Sequence, residues 1–257
     1  MNLHLTGKVA IVTGASRGIG CSIAKVLAAE GMRLVLVARS QDQLNEVASS
    51  CQNESLVHVA DLRNLDGPEG VVTAAIENFG HIDLLVNNAG ATKRGDFTTL
   101  LDADWDDGFA LKFFGAMRLC RAAWPHLKKQ RGSIINIVGV GGRTGSAEFT
   151  IGGSVNAALL NLTKSLADRG VIDGIRVNAI NPGAILTERL LTRVKSYAAE
   201  KGISEAEAPL GMAHALSIAR FGEPEEIAHM VAFLASPLAD YCQGSIIDID
   251  GGQTRTL

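Results

Sequence analysis

Residues 9–30 read VAIVTGASRGIGCSIAKVLAAE, and this stretch decides the fold. Val9–Thr13 is a short, continuously apolar run rich in β-branched residues, which reads as a strand buried on both faces. Beyond it Ile19, Ile23, Val26 and Leu27 fall on one helical face, so a helix spans Ile19–Glu30. The link, Gly14-Ala15-Ser16-Arg17-Gly18-Ile19-Gly20, carries three glycines in seven residues. Glycine there lets the chain turn tightly, lets a phosphate approach the peptide N–H groups, and lets the helix pack on the strand with its N-terminus facing the anion. The spacing is TGxxxGxG, not the GxGxxG of the usual dinucleotide fingerprint, and an ordinary glycine-rich strand-to-helix turn looks the same.

The same rhythm continues along the chain. Apolar runs at Arg33–Ala38, Leu56–Ala60, Ile82–Asn87, Ser133–Val138, Arg176–Ile180 and Ser245–Ile249 alternate with helical patterns at Gln41–Ser50, Pro68–Phe79, Asp104–Gln130, Ala157–Arg169 and Glu225–Ala235. Strands without in/out alternation, joined through helices, predict an α/β fold: a doubly wound, Rossmann-like parallel sheet of about seven strands with helices on both faces. Residues 1–257 read as one nucleotide-binding domain. The stretch 184–222 breaks the rhythm as a polar, partly helical insertion between the sixth and seventh strands. At the carboxyl edge of a parallel sheet such an insertion caps the ligand crevice as a lid.

Composition narrows the class further. Twenty-four Lys and Arg against 27 Asp and Glu give a net charge of −3 with no basic run, which argues against a nucleic-acid or membrane-surface binder. Cys21, Cys51, Cys120 and Cys242 are scattered without ligand spacing, so they read as small buried hydrophobes of a reducing compartment, and no metal site is implied. The N-terminal MNLHLTGKVAIVTG lacks the charged-then-apolar plan of a signal peptide, and no apolar stretch approaches a membrane span. The expectation is a cytoplasmic protein.

The motifs at the strand ends resemble those of the short-chain dehydrogenase/reductase family over essentially the whole chain. They are TGASRGIG at 13–20, Asp61-Leu62 after the third strand, NNAG at 87–90, GSIINI at 132–137, Asn181-Pro182-Gly183 with Ile185 and Thr187, and Asp250-Gly251-Gly252. The resemblance implies a nicotinamide cofactor held by Gly14, Ser16, Arg17, Gly18, Ile19 and Gly20 of the turn. It also implies that Asp61 and Leu62 contact the adenine, that Asn88, Ala89 and Gly90 line the cofactor, and that Pro182, Gly183, Ile185 and Thr187 hold the nicotinamide amide. At the end of the second strand Ala38 stands where an acidic residue would pair with the ribose 2′-hydroxyl of NAD, followed by Arg39 and Ser40. Arg39 and Arg17 together form a guanidinium clamp for a 2′-phosphate, so the expected cofactor is NADP(H). Apolar and small residues around more than one face of Asp104–Gln130 and Ala157–Arg169 predict a homotetramer, or a homodimer, through the helices that family members pair.

The family's chemistry uses an Asn on the helix after the fourth strand, a Ser after the fifth, a Tyr as acid/base and a Lys four residues on. The corresponding positions here are Lys112, Gly139, Gly152 and Asn156. Of the two tyrosines, Tyr197 and Tyr241, neither lies near that helix; a literal YxxxK at Tyr197–Lys201 falls in the lid, where so short a pattern arises by chance. Gly139 and Gly152 lead us to expect a void where Ser and Tyr would stand. Lys112 and Asn156 exchange the family's Asn and Lys, so they are the candidate catalytic pair, with Lys112 delivering an ammonium from the other helix and Asn156 reaching the cofactor ribose.

Three readings follow: an NADP(H)-dependent oxidoreductase on a small carbonyl or alcohol with a rebuilt site, a non-redox lyase, isomerase or hydrolase on the same fold, or a cofactor-binding sensor or scaffold. Lys93, Arg94, Arg143, Thr144 and Glu148 in loops, Thr150 and Ser154 around Gly152, and His214 in the lid are the remaining polar groups near the crevice. Together they point to an anionic substrate.

Overall fold

The computed structural model describes residues 2–255. Seven parallel strands form one sheet: β1 Val9–Thr13, β2 Arg33–Ala38, β3 Ser55–Val59, β4 Leu84–Asn87, β5 Ser133–Ile137, β6 Arg176–Pro182 and β7 Ile246–Ile249. Their order is β3-β2-β1-β4-β5-β6-β7, so the winding reverses between β1 and β4. At such a switch point the strand ends part and leave a crevice. Because strand residues alternate between faces, Ala10 and Val12 pack on one side, with α1 (Gly18–Ala29) and Ile227, Ala228 and Val231 of the last long helix. Val9 and Ile11 pack on the other, with α3 (Gly67–Phe79) and with Leu119, Ala123 and Leu127. Helix α2 (Gln41–Ser50) joins β2 to β3.

The expected strands are all present, with ends shifted by a residue or two, and β6 runs on to Pro182. The helix expected over Asp104–Gln130 is divided. It comprises α4 (Asp102–Phe109), a π-helical turn at Ala110–Gly115 and α5 (Ala116–Gln130). Gly115 sits so close to the third-strand loop that a Cβ on it would lie 3.1 Å from the Leu62 carbonyl oxygen. A widened turn at this point re-aims the side chains it carries, Lys112 among them. Helix α6 (Thr150–Asp173) begins well before the expected Ala157, because Gly152 and Gly153 weaken the helical pattern without breaking the helix.

The insertion over 184–222 contains two helices, α7 (Glu188–Lys201) and α8 (Ala208–Ala215), with a small core of Leu190, Val194, Ala198, Met212 and Phe221. Its stem is closed by a parallel bridge between Ile185 and Gly222, with the Leu186 amide donating to the Gly222 carbonyl at 2.7 Å. Helix α9 (Pro224–Ala235) then leads to β7. Among the described residues no helix is long and apolar enough to cross a membrane.

Candidate active site

The crevice is built on the turn after β1. Gly14 and Gly18 have φ of 65° and 56°, the left-handed region that glycine tolerates. A Cβ on Gly20 would lie 2.1 Å from the Gly14 carbonyl oxygen, so bare backbone is required there. The turn is braced from β4: Asn88 Nδ2 donates to the carbonyls of Thr13 (2.9 Å) and Gly14 (3.2 Å). Thr13 Oγ1 in turn accepts from the amides of Asn88 and Ala89. The Asn88 side chain is therefore spent on the scaffold, and its motif presents mainly backbone to the crevice. Gly18 meets the lid, since a Cβ on it would lie 3.3 Å from Thr187 Cγ2. Thr187 caps α7 by accepting from the Leu190 amide.

Of the two arginines expected to clamp a phosphate, Arg39 is exposed at the end of β2 beside Ser40. Arg17 is paired instead with Glu188 at 3.1 Å. Asp61 accepts from the Arg63 amide at 3.0 Å, and Arg63 bonds Asp107 at 2.6 Å, which fixes the loop after β3 around buried Leu62.

Lys112, on the π-helical turn, points into the crevice. Its stem passes over Gly90, where a Cβ would lie 2.9 Å from Lys112 Cδ. Its ammonium donates to the Val138 carbonyl at the end of β5, 2.5 Å away. Desolvation by the crevice floor, and secondarily the charge of Arg189, push its pKa down from 10.5 to about 7. Arg189, in the first turn of α7, reaches across to donate to the Gly90 carbonyl at 3.0 Å.

Beyond Val138 the chain turns through Gly139 at φ 123°. Its amide donates to Asn181 Oδ1 (3.2 Å), Asn181 Nδ2 donates to Asp248 Oδ1 (2.8 Å), and Arg143 pairs with Asp248 Oδ2 (2.9 Å). Arg143 is thus a brace between the β5 loop and β7. Asn156, 2% exposed on α6, donates weakly to the Gly139 carbonyl at 3.4 Å, and its Oδ1 is buried without a partner.

The void expected at Gly139 and Gly152 is not there. The Phe149 ring fills the space at Gly152, where a Cβ would lie 2.0 Å from the ring's Cζ. The Asn156 amide lies 3.2 Å from a Cβ built on Gly139. Arg94 stacks on Phe149, 4.1 Å from the ring centre. Phe149 leaves no trace in residue spacing, because it comes from the turn before α6 and folds back onto the helix.

The other polar candidates separate. Lys93 is held by Asp104 at 2.9 Å, and His214 is exposed at the end of α8. Thr150 and Ser154 border a cavity of about 330 Å³ with Thr144 and Phe149. Tyr197 packs inside the lid, against Gly211 and under the Lys201 ammonium 5.9 Å from its ring, so this YxxxK serves the lid's own packing.

Comparison with known proteins agrees with this architecture. A family described as enoyl-(acyl carrier protein) reductase matches residues 14–254. The 3-oxoacyl-(acyl-carrier-protein) reductase of Vibrio cholerae is 34% identical over 251 residues, covering 97% of this chain and 98% of that protein. L-sorbose reductase from Gluconobacter frateurii, solved with NADPH and L-sorbose, matches with a TM-score of 0.95 at 34% identity over 100% of both chains. A short-chain dehydrogenase/reductase from Serratia marcescens matches at 0.83 and 32% identity over 97% of this chain and 98% of that one. The chain belongs to the short-chain dehydrogenase/reductase family.

As a short-chain dehydrogenase/reductase the chain is an oxidoreductase, and its crevice at the β1/β4 switch point is where this fold places its site. Two residues of that crevice, Phe149 and Arg189, escaped the sequence reading, as did Arg193, one turn beyond Arg189 on α7. The two arginines were within reach, since they follow the helix-capping Thr187 at i and i+4 spacing on one face.

Proposed function

We propose that this short-chain dehydrogenase/reductase is an NADP(H)-dependent oxidoreductase that interconverts a small carbonyl compound and its alcohol, with Lys112 as the acid/base. The observation that carries the reading is the Lys112 ammonium, turned inward over Gly90 onto the Val138 carbonyl with its pKa brought to about 7. A general acid works best with a pKa near the operating pH.

The crevice fits a dinucleotide. The glycine turn is free of Cβ atoms where a pyrophosphate would approach the N-terminus of α1. Ala38 leaves the end of β2 without a carboxylate, and Arg39 stands accessible for a 2′-phosphate. The buried, unpartnered Oδ1 of Asn156 is an acceptor suited to a ribose hydroxyl. When bound, the nicotinamide supplies or takes up the hydride. Lys112 gives a proton to the carbonyl oxygen in reduction and takes one from the hydroxyl in oxidation, while the Val138 carbonyl holds its ammonium in place. Phe149, standing where the family's tyrosine would project, supplies an apolar wall and no proton.

The test is a screen of carbonyl compounds and alcohols followed by nicotinamide absorbance. Lys112→Ala and Lys112→Asn are expected to lose about 10²–10⁴ in turnover, with cofactor affinity retained. Full turnover in both variants would make Lys112 a bystander.

A further inference from the structure

The crevice holds cations that its own carboxylates do not pair. Arg94, on the loop after Gly90, lies over the Phe149 ring. Arg189 and Arg193 stand one turn apart on the same face of α7, and Arg189 spans to the Gly90 carbonyl. Their charged neighbours are paired: Arg17 with Glu188, Lys93 with Asp104, Arg143 with Asp248. Among the described residues no carboxylate oxygen lies within 4.0 Å of Arg94, Arg189 or Arg193. The surrounding protein lowers the pKa of all three guanidiniums. For Arg94 the charge of Arg193 adds to this, Arg189 contributes less, and Glu148 is the one opposing carboxylate.

The cluster has two ends. Arg189, bonded to the Gly90 carbonyl of the cofactor-lining motif, lies on the cofactor side. Arg94 lies over Phe149, which packs at Gly152 on the substrate side, and Arg193, one turn beyond Arg189 on α7, is near enough for its charge to act on Arg94, with Glu148 opposing both. The two segments are tied by the Gly95 amide, which donates to the Glu148 carbonyl at 3.2 Å. Three guanidiniums gathered around a single carboxylate that pairs with none of them cost free energy that a bound anion recovers, and guanidinium forks match carboxylate and phosphate oxygens.

We infer that Arg94 and Arg193 form an anion-binding end of the substrate site, so that the carbonyl compound turned over carries a carboxylate or phosphate group. The inference rests on reading the crevice as a carbonyl/alcohol site, and its test is kept apart from turnover. Malonate and inorganic phosphate are titrated calorimetrically into the protein, alone and with saturating NADP⁺. With Arg94→Gln or Arg193→Gln, binding of both probes is expected to weaken about tenfold or more, the loss of a charge-assisted hydrogen bond. Glu148→Gln, which removes the competing carboxylate, is expected to tighten binding severalfold, an outcome that misfolding cannot imitate. The NADP⁺ affinity of all three variants is expected to stay within about twofold of the parent.

Equal affinity for the probes in parent and arginine variants would overturn the inference, as would no binding at about tens of millimolar. Turnover of neutral carbonyls would then leave the redox reading standing. Probe binding that depends on Arg94 and Arg193, with no carbonyl turned over, would keep the anion site and remove the redox reading.

Discussion

The Phe149 ring occupies the space into which a side chain at Gly152 would project, with Cζ only 2.0 Å from the Cβ position. The relationship reverses a general rule. Replacing glycine by alanine inside a helix ordinarily stabilises by about 0.5–1 kcal/mol. Here Gly152→Ala is expected to destabilise by about 1–3 kcal/mol, because the ring must leave and Arg94 loses its stacking surface. In a Phe149→Ala background the same substitution is expected to be neutral or stabilising. Urea denaturation of the two single variants and the double variant measures the coupling, and additive effects would show that ring and helix do not compete.

The strands were legible because a sheet covered on both faces demands uninterrupted apolar runs, as in Val9–Thr13 and Arg33–Ala38. The glycine turn was legible because only glycine meets its φ and contact requirements at Gly14, Gly18 and Gly20. The π-helical turn at Ala110–Gly115 was not, since the apolar pattern of a helix continues through it and the close approach of Gly115 to Leu62 is a tertiary contact that local sequence does not show. Phe149 was hidden for the same kind of reason. Nothing local distinguishes an aromatic residue that turns back onto its helix from one that faces solvent. Lys112 was found by register, but its inward course depends on the bare backbone of Gly90, which lies in another motif.

Oligomerisation is expected at micromolar concentration. The C-terminal turns of α6 leave Val171 and Ile172 69% and 77% exposed, and Phe114, just ahead of α5, is 40% exposed. Contiguous exposed apolar surface marks association sites, and these residues stand on the helices expected to pair. Light scattering is expected to report a homotetramer or homodimer, and a monomeric mass would refute the pairing of these helices.

NADP(H) is expected to bind more tightly than NAD(H), and Arg39→Ala to remove most of the preference, about tenfold or more for one charge-assisted contact. Arg17 begins with a competitor. Its pair with Glu188 is largely exposed, 66% and 74%, and so holds it weakly. Glu188→Gln is therefore expected to sharpen the preference for NADP(H) modestly. Calorimetry giving the parent equal affinity for both cofactors, or an Arg39→Ala protein with its preference intact, would remove the argument.

Lys112 is expected to leave its mark on stability as well as on rate. Folding lowers its pKa from 10.5 to about 7, so between those values the unfolded chain binds the proton that the folded chain has released. Below about pH 7 both states are protonated, and the folded state bears the full cost of holding an ammonium in the crevice. As pH rises through 7 towards 10.5 that cost is relieved, and the contribution of this residue to stability increases. Lys112→Met is accordingly expected to gain most over the parent at about pH 6 and to lose that advantage towards about pH 10. Losing the bond to the Val138 carbonyl shifts the whole curve of the variant but not its slope. Carbonyl reduction, which needs the ammonium, is expected to fall as pH rises through about 7, and alcohol oxidation to rise over the same range. Parallel stability curves for parent and Lys112→Met would show that the ammonium is not desolvated by folding. A reduction rate flat across neutral pH would take the proton transfer away from it.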